Sequence, residues 1–201
     1  MISHTRQGFK PATGGTVVTC DDQDRVVEGD VLVHGREIVA VGKVRRPRGQ
    51  LVQVVDARGC AIIPGFVQAH VHLCQVLFRG MADDMPLLDW LKRRIWPLEA
   101  AHDAASLTAS AELGLAEMMR AGTTTILDMG TVHGHDAVMD ACARSGVRAL
   151  SGKAMMDAGE GVPRGLRETT KASLRESERL ERAWSGAADG RLGYAYAPRF
   201  I

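Results

Sequence analysis

Residues 64–72 of the chain read PGFVQAHVH, and they overlap an apolar run at residues 60–67. A run of this kind predicts a β-strand that is buried on both faces. Successive side chains of a strand point to opposite faces, so His70 and His72 share one face and Val71 lies on the other. Two neutral imidazoles on one face can bind a divalent metal. Taken alone, the pair is a weak signal, because most such pairs are surface or core histidines, so its context matters.

Beyond this strand the sequence alternates between helical and strand-like segments. The predicted helices cover residues 87–96, 103–121, 136–146 and 166–184, and the predicted strands cover residues 123–129, 147–156 and 192–197. Pro97 is expected to stop the first of these helices, and Asp136 is expected to cap the third. Strands that alternate with helices predict βα units and a parallel sheet, so the expected fold class is α/β.

The segment before residue 63 has a different pattern. Polar and glycine-containing turns separate short runs rich in β-branched residues, which lie at residues 16–19, 26–33, 37–41 and 51–55. Short strands at this spacing predict a small β-sandwich or meander. The sequence therefore predicts two regions, a β-rich segment at residues 1–62 and an α/β segment at residues 63–201.

The composition is that of an ordinary globular protein. The 201 residues are 45% hydrophobic and 24% charged, with a net charge of +1. We expect no nucleic-acid partner and no membrane surface from a charge so near zero, and no apolar run approaches the roughly 20 residues of a membrane span. The N-terminus lacks a secretory pattern, and the cysteines form no CxxC pair, so we expect reduced thiols and a cytoplasmic location. The cysteines are Cys20, Cys60, Cys74 and Cys142.

The order of the motifs resembles the amidohydrolase superfamily. PGF followed by the His70-x-His72 pair is similar to the first-strand signature of that superfamily. The resemblance continues through residues 73–80 (LCQVLFRG), 82–91 (ADDMPLLDWL), 95–99 (IWPLE), 121–125 (AGTTT), 152–157 (GKAMMD) and 198–200 (PRF). These motifs resemble the mononuclear-metal branch, which contains guanine deaminases, S-adenosylhomocysteine/5′-methylthioadenosine and 5′-deoxyadenosine deaminases, and triazine hydrolases.

The resemblance implies a fold and a reaction. The fold is a (β/α)8 barrel joined to a small β-sandwich, so residues 1–62 would be part of the sandwich and residues 63–201 the first four βα units. His70 and His72 would bind one Zn²⁺ or Fe²⁺, which lowers the pKa of a bound water. The implied reaction is attack of that hydroxide on a purine or related N-heterocycle with release of ammonia. The implied protein is therefore a metal-dependent aminohydrolase of small heterocyclic molecules.

The resemblance leaves the substrate open. Gln75 and Arg199 match positions at which guanine deaminases hold the purine ring. Their side chains suit a heterocycle with carbonyl and ring-nitrogen acceptors. The alternatives are that Gln75 caps local backbone and that Arg199 forms a structural salt bridge. Residues 83–87 and 95–97 look more like the adenosine-type deaminases, so the two signals conflict.

Three further polar residues have two interpretations each. Asp128 supports the metal site or makes a buried structural hydrogen bond. His133 reaches the substrate or, with His135, belongs to a loop and helix entry. Lys153 is structural or lies behind the site, because the bridging lysine of binuclear relatives belongs at residues 197–200, where there is none. We therefore expect a mononuclear site.

The family mechanism needs groups that this sequence does not supply. A third metal-binding His, a proton-shuttling Glu, a further His and an Asp are expected beyond Ile201, so none of the catalytic residues is expected within the chain. We therefore expect an incomplete fragment that is inactive alone and a full-length homodimer. Alternative interpretations are a triazine-type chloro or amino hydrolase and a non-catalytic scaffold with the amidohydrolase fold.

Overall fold

A computed structural model describes residues 8–45 and 53–199. The chain divides into two units, one that extends to Pro64 and one that begins at Gly65. The sequence-based boundary after residue 62 remains an expectation about domains. Among the described residues, no helix combines the length and the apolar character that crossing a membrane requires.

The first unit is a β-sheet centred on its longest strand. Strand β1 (Phe9–Val18) pairs antiparallel with β2 (Val26–His34), and β2 pairs antiparallel with β3 (Glu37–Gly42). Two short strands, β4 (Val55–Asp56) and β5 (Ala61–Ile62), run parallel to β1. The first strand is longer than the sequence pattern predicts. The predicted strand at 51–55 lies partly outside the described residues, and β4 begins only at its last position.

The second unit contains a parallel sheet, as the alternation of segments predicts. Its strands are β6 (Phe66–Val71), β7 (Thr123–Met129), β8 (Arg148–Gly152) and β10 (Leu192–Tyr194), in the order β10-β8-β7-β6. A separate parallel pair is formed by β9 (Ala154–Met155) and β11 (Ala197–Pro198). The predicted strands at 147–156 and 192–197 are therefore each divided in two.

Helices connect these strands. They are α1 (Leu87–Trp90), α2 (Trp96–Ala100), α3 (Ala104–Arg120), α4 (His135–Ser145), α5 (Thr170–Trp184) and α6 (Ala187–Gly190). Short 3₁₀ helices cover Leu73–Phe78 and Arg164–Leu166. The predicted helix at 103–121 is confirmed to within a residue at each end, and Asp103 caps it by accepting a hydrogen bond from Ser106.

The prediction that Pro97 stops the first helix is wrong. A π-helical turn at Leu91–Ile95 links α1 to α2, and Pro97 lies in the first turn of α2. Proline is tolerated there because its missing N–H is one that the first turn does not use. The helical path therefore extends to Ala100, and it includes Glu99.

The prediction that Asp136 caps a helix is also wrong. Helix α4 begins one residue earlier, after Gly134, whose φ of 70° is in the left-handed region. The Asp136 carboxylate instead accepts a hydrogen bond from Trp184 Nε1 at 2.8 Å and pairs with Arg179. A contact with α5 has replaced the local cap, which a pattern along one segment does not reveal.

Two apolar clusters stabilise the second unit. One lies between the sheet and helices α3 and α4, and it includes Leu73, Leu115, Ile126, Val138 and Met139. The other surrounds the α1–α2 segment, and it includes Phe78, Ile95, Trp96, Val132 and Leu166. The first of these clusters covers one face of the four-stranded sheet. On the opposite face, Val67, Leu127 and Leu150 are 67%, 40% and 43% exposed.

Lys153 lies between β8 and β9, and it forms a buried ion pair with Glu168. Lys153 is fully buried, and its Nζ donates to Glu168 Oε1 at 2.6 Å and to Ser173 Oγ at 3.2 Å. Burial lowers the pKa of Lys153, and the facing Glu168 carboxylate opposes that shift. Glu168 also accepts the Met156 N–H at 3.2 Å. The pair thus attaches the chain after β8 to the segment before α5.

We expect Lys153→Met to lower the free energy of unfolding by about 3–5 kcal/mol, because it leaves the Glu168 carboxylate buried without its cation. The double variant Lys153→Met/Glu168→Leu removes both charges and should lose less. Urea unfolding of the chain measures both. As a control, Arg144→Met breaks exposed ion pairs with Glu112 and Asp140 and should lose less than about 1 kcal/mol. Equal losses in the single and double variants would contradict this account.

Candidate functional site

The two histidines of the HxH motif converge at the end of β6. His70 lies near the end of the strand, and His72 precedes the 3₁₀ helix Leu73–Phe78. Their Nε2 atoms are 3.1 Å apart, and their rings meet edge to face. Two nitrogen ligands of one tetrahedral Zn²⁺, each about 2.0–2.1 Å from the ion, lie roughly 3.3 Å apart. The donor set and its spacing therefore fit two ligands of a single divalent ion.

The neighbouring strand orients one of these imidazoles. His72 Nδ1 is 2.9 Å from the carbonyl oxygen of Met129, the last residue of β7. A carbonyl oxygen only accepts hydrogen bonds, so Nδ1 carries the proton and donates. Nε2 of His72 is then the unprotonated nitrogen, and it is the atom that faces His70. This arrangement is typical of metal-binding histidines.

Asp128 holds the backbone that follows His72. Its carboxylate is buried, accepts the Leu73 N–H at 2.8 Å through Oδ1, and accepts the Ser151 hydroxyl at 2.7 Å through Oδ2. Burial raises the pKa of Asp128, and the two hydrogen bonds oppose that shift. Among the described residues, no imidazole donates a hydrogen bond directly to Asp128. Asp128 acts on His72 through the adjoining peptide.

The second HxH motif is divided between the surface and the interior. His133 is exposed in the loop before α4, whereas His135 is 2% exposed. His135 Nε2 is 3.1 Å from Ser151 Oγ, whose own proton goes to Asp128, so Nε2–H donates to the hydroxyl. His135 Nδ1 is buried without a hydrogen-bond partner among the described residues. Burial lowers the pKa of His135 to about 4, so the imidazole is neutral near pH 7.

Sequence reasoning missed His135 and Ser151 as parts of this network. Asp128 and Ser151 are directly paired on the neighbouring strands β7 and β8. Both face the helices, as the alternation along each strand would have indicated. The close approach of His135 depends on Gly130, since a Cβ at that position would overlap the His135 ring. Nothing in the local pattern of residues 133–135 predicts that approach.

A cavity of about 390 Å³ lies beside His72. Its lining includes His72, Gln75, Phe78, Arg79, Asp83 and Trp90. Gln75 and His72 therefore share one cavity, as the sequence-based assignment of a substrate site requires. Trp90, at the end of α1, also reaches it.

Gln75 and Arg199 meet on one carboxylate that the sequence did not single out. Gln75 Nε2 donates to Glu99 Oε1 at 2.8 Å, and Arg199 donates to Glu99 Oε2 at 2.7 Å. Glu99 is 3% exposed. The salt bridge proposed as the alternative for Arg199 is thus present, whereas the Gln75 side chain binds Glu99 and not local backbone. The binding of substrate by these two residues remains a prediction.

The described residues contain only part of a metal centre. Within residues 8–45 and 53–199, no group of three or more His, Cys, Asp or Glu side chains is arranged to hold a metal ion. The His70–His72 pair supplies two nitrogen ligands, which is fewer than a tetrahedral site needs. The ammonium group of Lys153 forms an ion pair with Glu168, so Lys153 has a structural role.

A parallel α/β sheet with a histidine pair at the end of one strand is the arrangement in which barrel enzymes place metal ligands. The amidohydrolase family model matches residues 61–200, and the chain belongs to that family.

Individual relatives agree with this membership. The chain is 40% identical over 190 residues to the 5-methylthioadenosine/S-adenosylhomocysteine deaminase of Halobacterium salinarum, an alignment that covers 94% of this chain and 41% of the relative. The structure is similar to E. coli guanine deaminase, with a TM-score of 0.76, 30% identity, and coverage of 96% of this chain and 46% of the other.

A third relative has bound zinc. It is an adenosine deaminase from Xanthomonas campestris, with a TM-score of 0.77, 29% identity, and coverage of 94% of this chain and 42% of the other. The chain thus spans about 40% of the length of the curated relatives that it matches.

His135 should make the stability of the fold depend on pH. Its pKa is about 4 in the folded state and 6.5 when unperturbed, so between these values the unfolded state binds more protons. The free energy of unfolding is therefore not reduced by His135 above pH 6.5, and it falls as the pH is lowered below that value. In His135→Gln the slope of the free energy of unfolding against pH should be smaller by up to about 1.4 kcal/mol per pH unit, which corresponds to the uptake of one proton. Urea unfolding between pH 4 and 6.5 measures the slopes, and equal slopes would contradict the assignment.

Proposed function

We propose that the protein is a metal-dependent aminohydrolase that removes an amino group from a purine or a related N-heterocycle. The observation that carries this proposal is the convergence of the His70 and His72 Nε2 atoms to 3.1 Å beside a cavity that Gln75 also lines. Membership of the amidohydrolase family supports it, as do the deaminase names of the relatives. The reaction would break a C–N bond that is not a peptide bond.

We further propose that the four-stranded sheet is the first half of a (β/α)8 barrel and that residues 1–62 contribute to a β-sandwich. The parallel order β10-β8-β7-β6 supports this, because such a barrel is built from consecutive parallel strands. The exposure of Val67, Leu127 and Leu150 supports it too, since these side chains would face the interior of a closed barrel. Similar solved structures are about twice as long as this chain.

The metal would be held by His70 and His72, with the remaining ligands supplied from outside the described residues. A bound Zn²⁺ or Fe²⁺ supplies a Lewis acid that makes hydroxide available near neutral pH. Within this chain, Met129 fixes the His72 tautomer, and Asp128 holds the peptide that follows it. Gln75 and Arg199 would bind the heterocycle. The general acid and base of the reaction are assigned to no residue of this chain.

The proposal extends to the whole protein and its setting. We propose a homodimer in the cytoplasm that acts on a small-molecule heterocycle, with neither nucleic acid nor membrane as a partner. The four cysteines are free in the structure, in keeping with a reducing compartment.

The reaction is tested by ammonia release from guanine, 5′-deoxyadenosine and S-adenosylhomocysteine. We expect the metal-loaded, full-length protein to release ammonia from at least one of them and the 201-residue chain alone to release none. His70→Ala should lower kcat at least about 10³-fold, because the reaction depends on the metal. Release of chloride or an amine from triazines alone would instead indicate a triazine hydrolase. No turnover of any substrate would indicate a non-catalytic scaffold.

The metal site is tested separately by metal analysis. We expect His70→Ala and His72→Ala to retain roughly tenfold less zinc or iron than the wild-type protein after dialysis, because each removes one nitrogen ligand. His34→Ala is the matched control, since His34 packs on Phe9 in the first unit and should leave the metal content unchanged. Unaltered metal in both His70 and His72 variants would refute the assignment.

A further inference from the structure

His102 contacts the segment that leads from the metal-binding pair to the cavity. This segment is the 3₁₀ helix Leu73–Phe78, which begins directly after His72, and Gln75 and Phe78 both line the cavity of about 390 Å³. We propose that His102 is a positioning residue, which fixes the backbone of this segment and the ring of Phe78 for the binding of substrate. The inference rests on the proposed aminohydrolase function, because that proposal assigns the cavity to the substrate.

The imidazole of His102 is bound at both of its nitrogens. Nε2 is 2.7 Å from the carbonyl oxygen of Cys74, and because a carbonyl oxygen only accepts, Nε2 carries a proton and donates. Nδ1 is 2.9 Å from the hydroxyl oxygen of Ser106. That hydroxyl oxygen also accepts the N–H of Asp103, whose carboxylate caps helix α3. The ring is therefore held between the N-terminus of α3 and the 3₁₀ helix, and it cannot turn without breaking a hydrogen bond.

One face of the same imidazole supports Phe78. The two rings are stacked, with their centroids 5.1 Å apart and their planes 26° apart. Phe78 is buried, lines the cavity, and belongs to the apolar cluster around the α1–α2 segment. His102 is absent from the described residues that line the cavity, so it acts on the wall of the cavity from behind. It does so at two points, the carbonyl group before Gln75 and the ring at the end of the segment.

Two other contacts fix the start of the segment. Asp128 accepts the N–H of Leu73 at 2.8 Å, and the buried hydroxyl of Ser110 donates to the Leu73 carbonyl oxygen at 2.7 Å. Both contacts lie at the residue next to His72, whereas those of His102 lie further along the segment. A change at His102 should therefore move the wall of the cavity and leave the metal-binding pair in place.

The test compares His102→Phe with His102→Gln in the full-length, metal-loaded protein. The phenylalanine can keep the stacked ring but removes the donor to Cys74, whereas the glutamine places an amide N–H donor near the position of Nε2. Ammonia release gives kcat and KM for whichever of guanine, 5′-deoxyadenosine and S-adenosylhomocysteine is turned over, and calorimetry gives Kd for all three. We expect His102→Phe to raise KM about 3- to 10-fold, the factor that one lost hydrogen bond gives, with kcat within about twofold of wild type. His102→Gln should stay within about threefold of the wild-type KM, because it restores a donor.

Two further measurements separate positioning from a structural role. Metal analysis after dialysis should give the wild-type content in both His102 variants. Thr108→Val is the matched control, since it removes a hydrogen bond from Thr108 to the Ala104 carbonyl oxygen within α3, and it should leave KM unchanged. His102→Leu, which also lacks the donor, takes the place of His102→Phe if that variant does not fold. An unchanged KM without the donor would overturn the inference, and so would an increase in His102→Gln that is at least as large, or a loss of metal that accompanies the rise in KM.

The outcomes also distinguish this inference from the proposed function. If at least one of the three compounds binds and its Kd responds to the His102 variants as described but no ammonia is released, the aminohydrolase proposal fails and the inference stands. If ammonia is released and KM does not respond, the inference is overturned while the aminohydrolase proposal stands. If none of the three binds, the cavity is not their binding site and the inference fails with it.

Discussion

The position of the histidine pair depends on one buried carboxylate. Asp128 accepts a hydrogen bond from the peptide that follows His72 and another from the side chain of Ser151. It thereby joins β6, β7 and β8 at the end of the sheet where the histidines lie. A carboxylate without these hydrogen bonds would be strongly unfavourable in such a buried place. The adjacent residue, Met129, contributes its carbonyl oxygen to His72, so two successive residues of β7 fix both the backbone and the ring.

This arrangement makes the interior behind the site sensitive to protonation. Hydrogen bonds run in one direction, from His135 to Ser151 and from Ser151 to Asp128. In the neutral imidazole this direction requires the proton on Nε2, and burial favours the neutral form by lowering the pKa of His135. Gly130 allows the imidazole to approach. The polar residues behind the His70–His72 pair are therefore held in one pattern of hydrogen-bond donors and acceptors.

The sequence predicts best where the structure depends on local alternation. The expectation that His70 and His72 come together at the end of a strand needed only the period of two, and the parallel sheet needed only the order of segments. The errors at Pro97 and Asp136 arise where a π-helical turn or a contact with another helix overrides a local signal. The contacts of Glu99 could not be predicted from the sequence for the same reason. This residue lies on a helix that the sequence ended too early, and it meets a residue one hundred positions away.

Two buried carboxylates bind the two ends of the short segment from Leu73 to Gln75. Asp128 binds the peptide at Leu73, next to the metal-binding pair, and Glu99 binds the side chain of Gln75, next to the cavity. They come from a strand and a helix and share no partner. A change at Glu99 can therefore alter the Gln75 side chain and the lining of the cavity while Asp128 keeps the histidines in place.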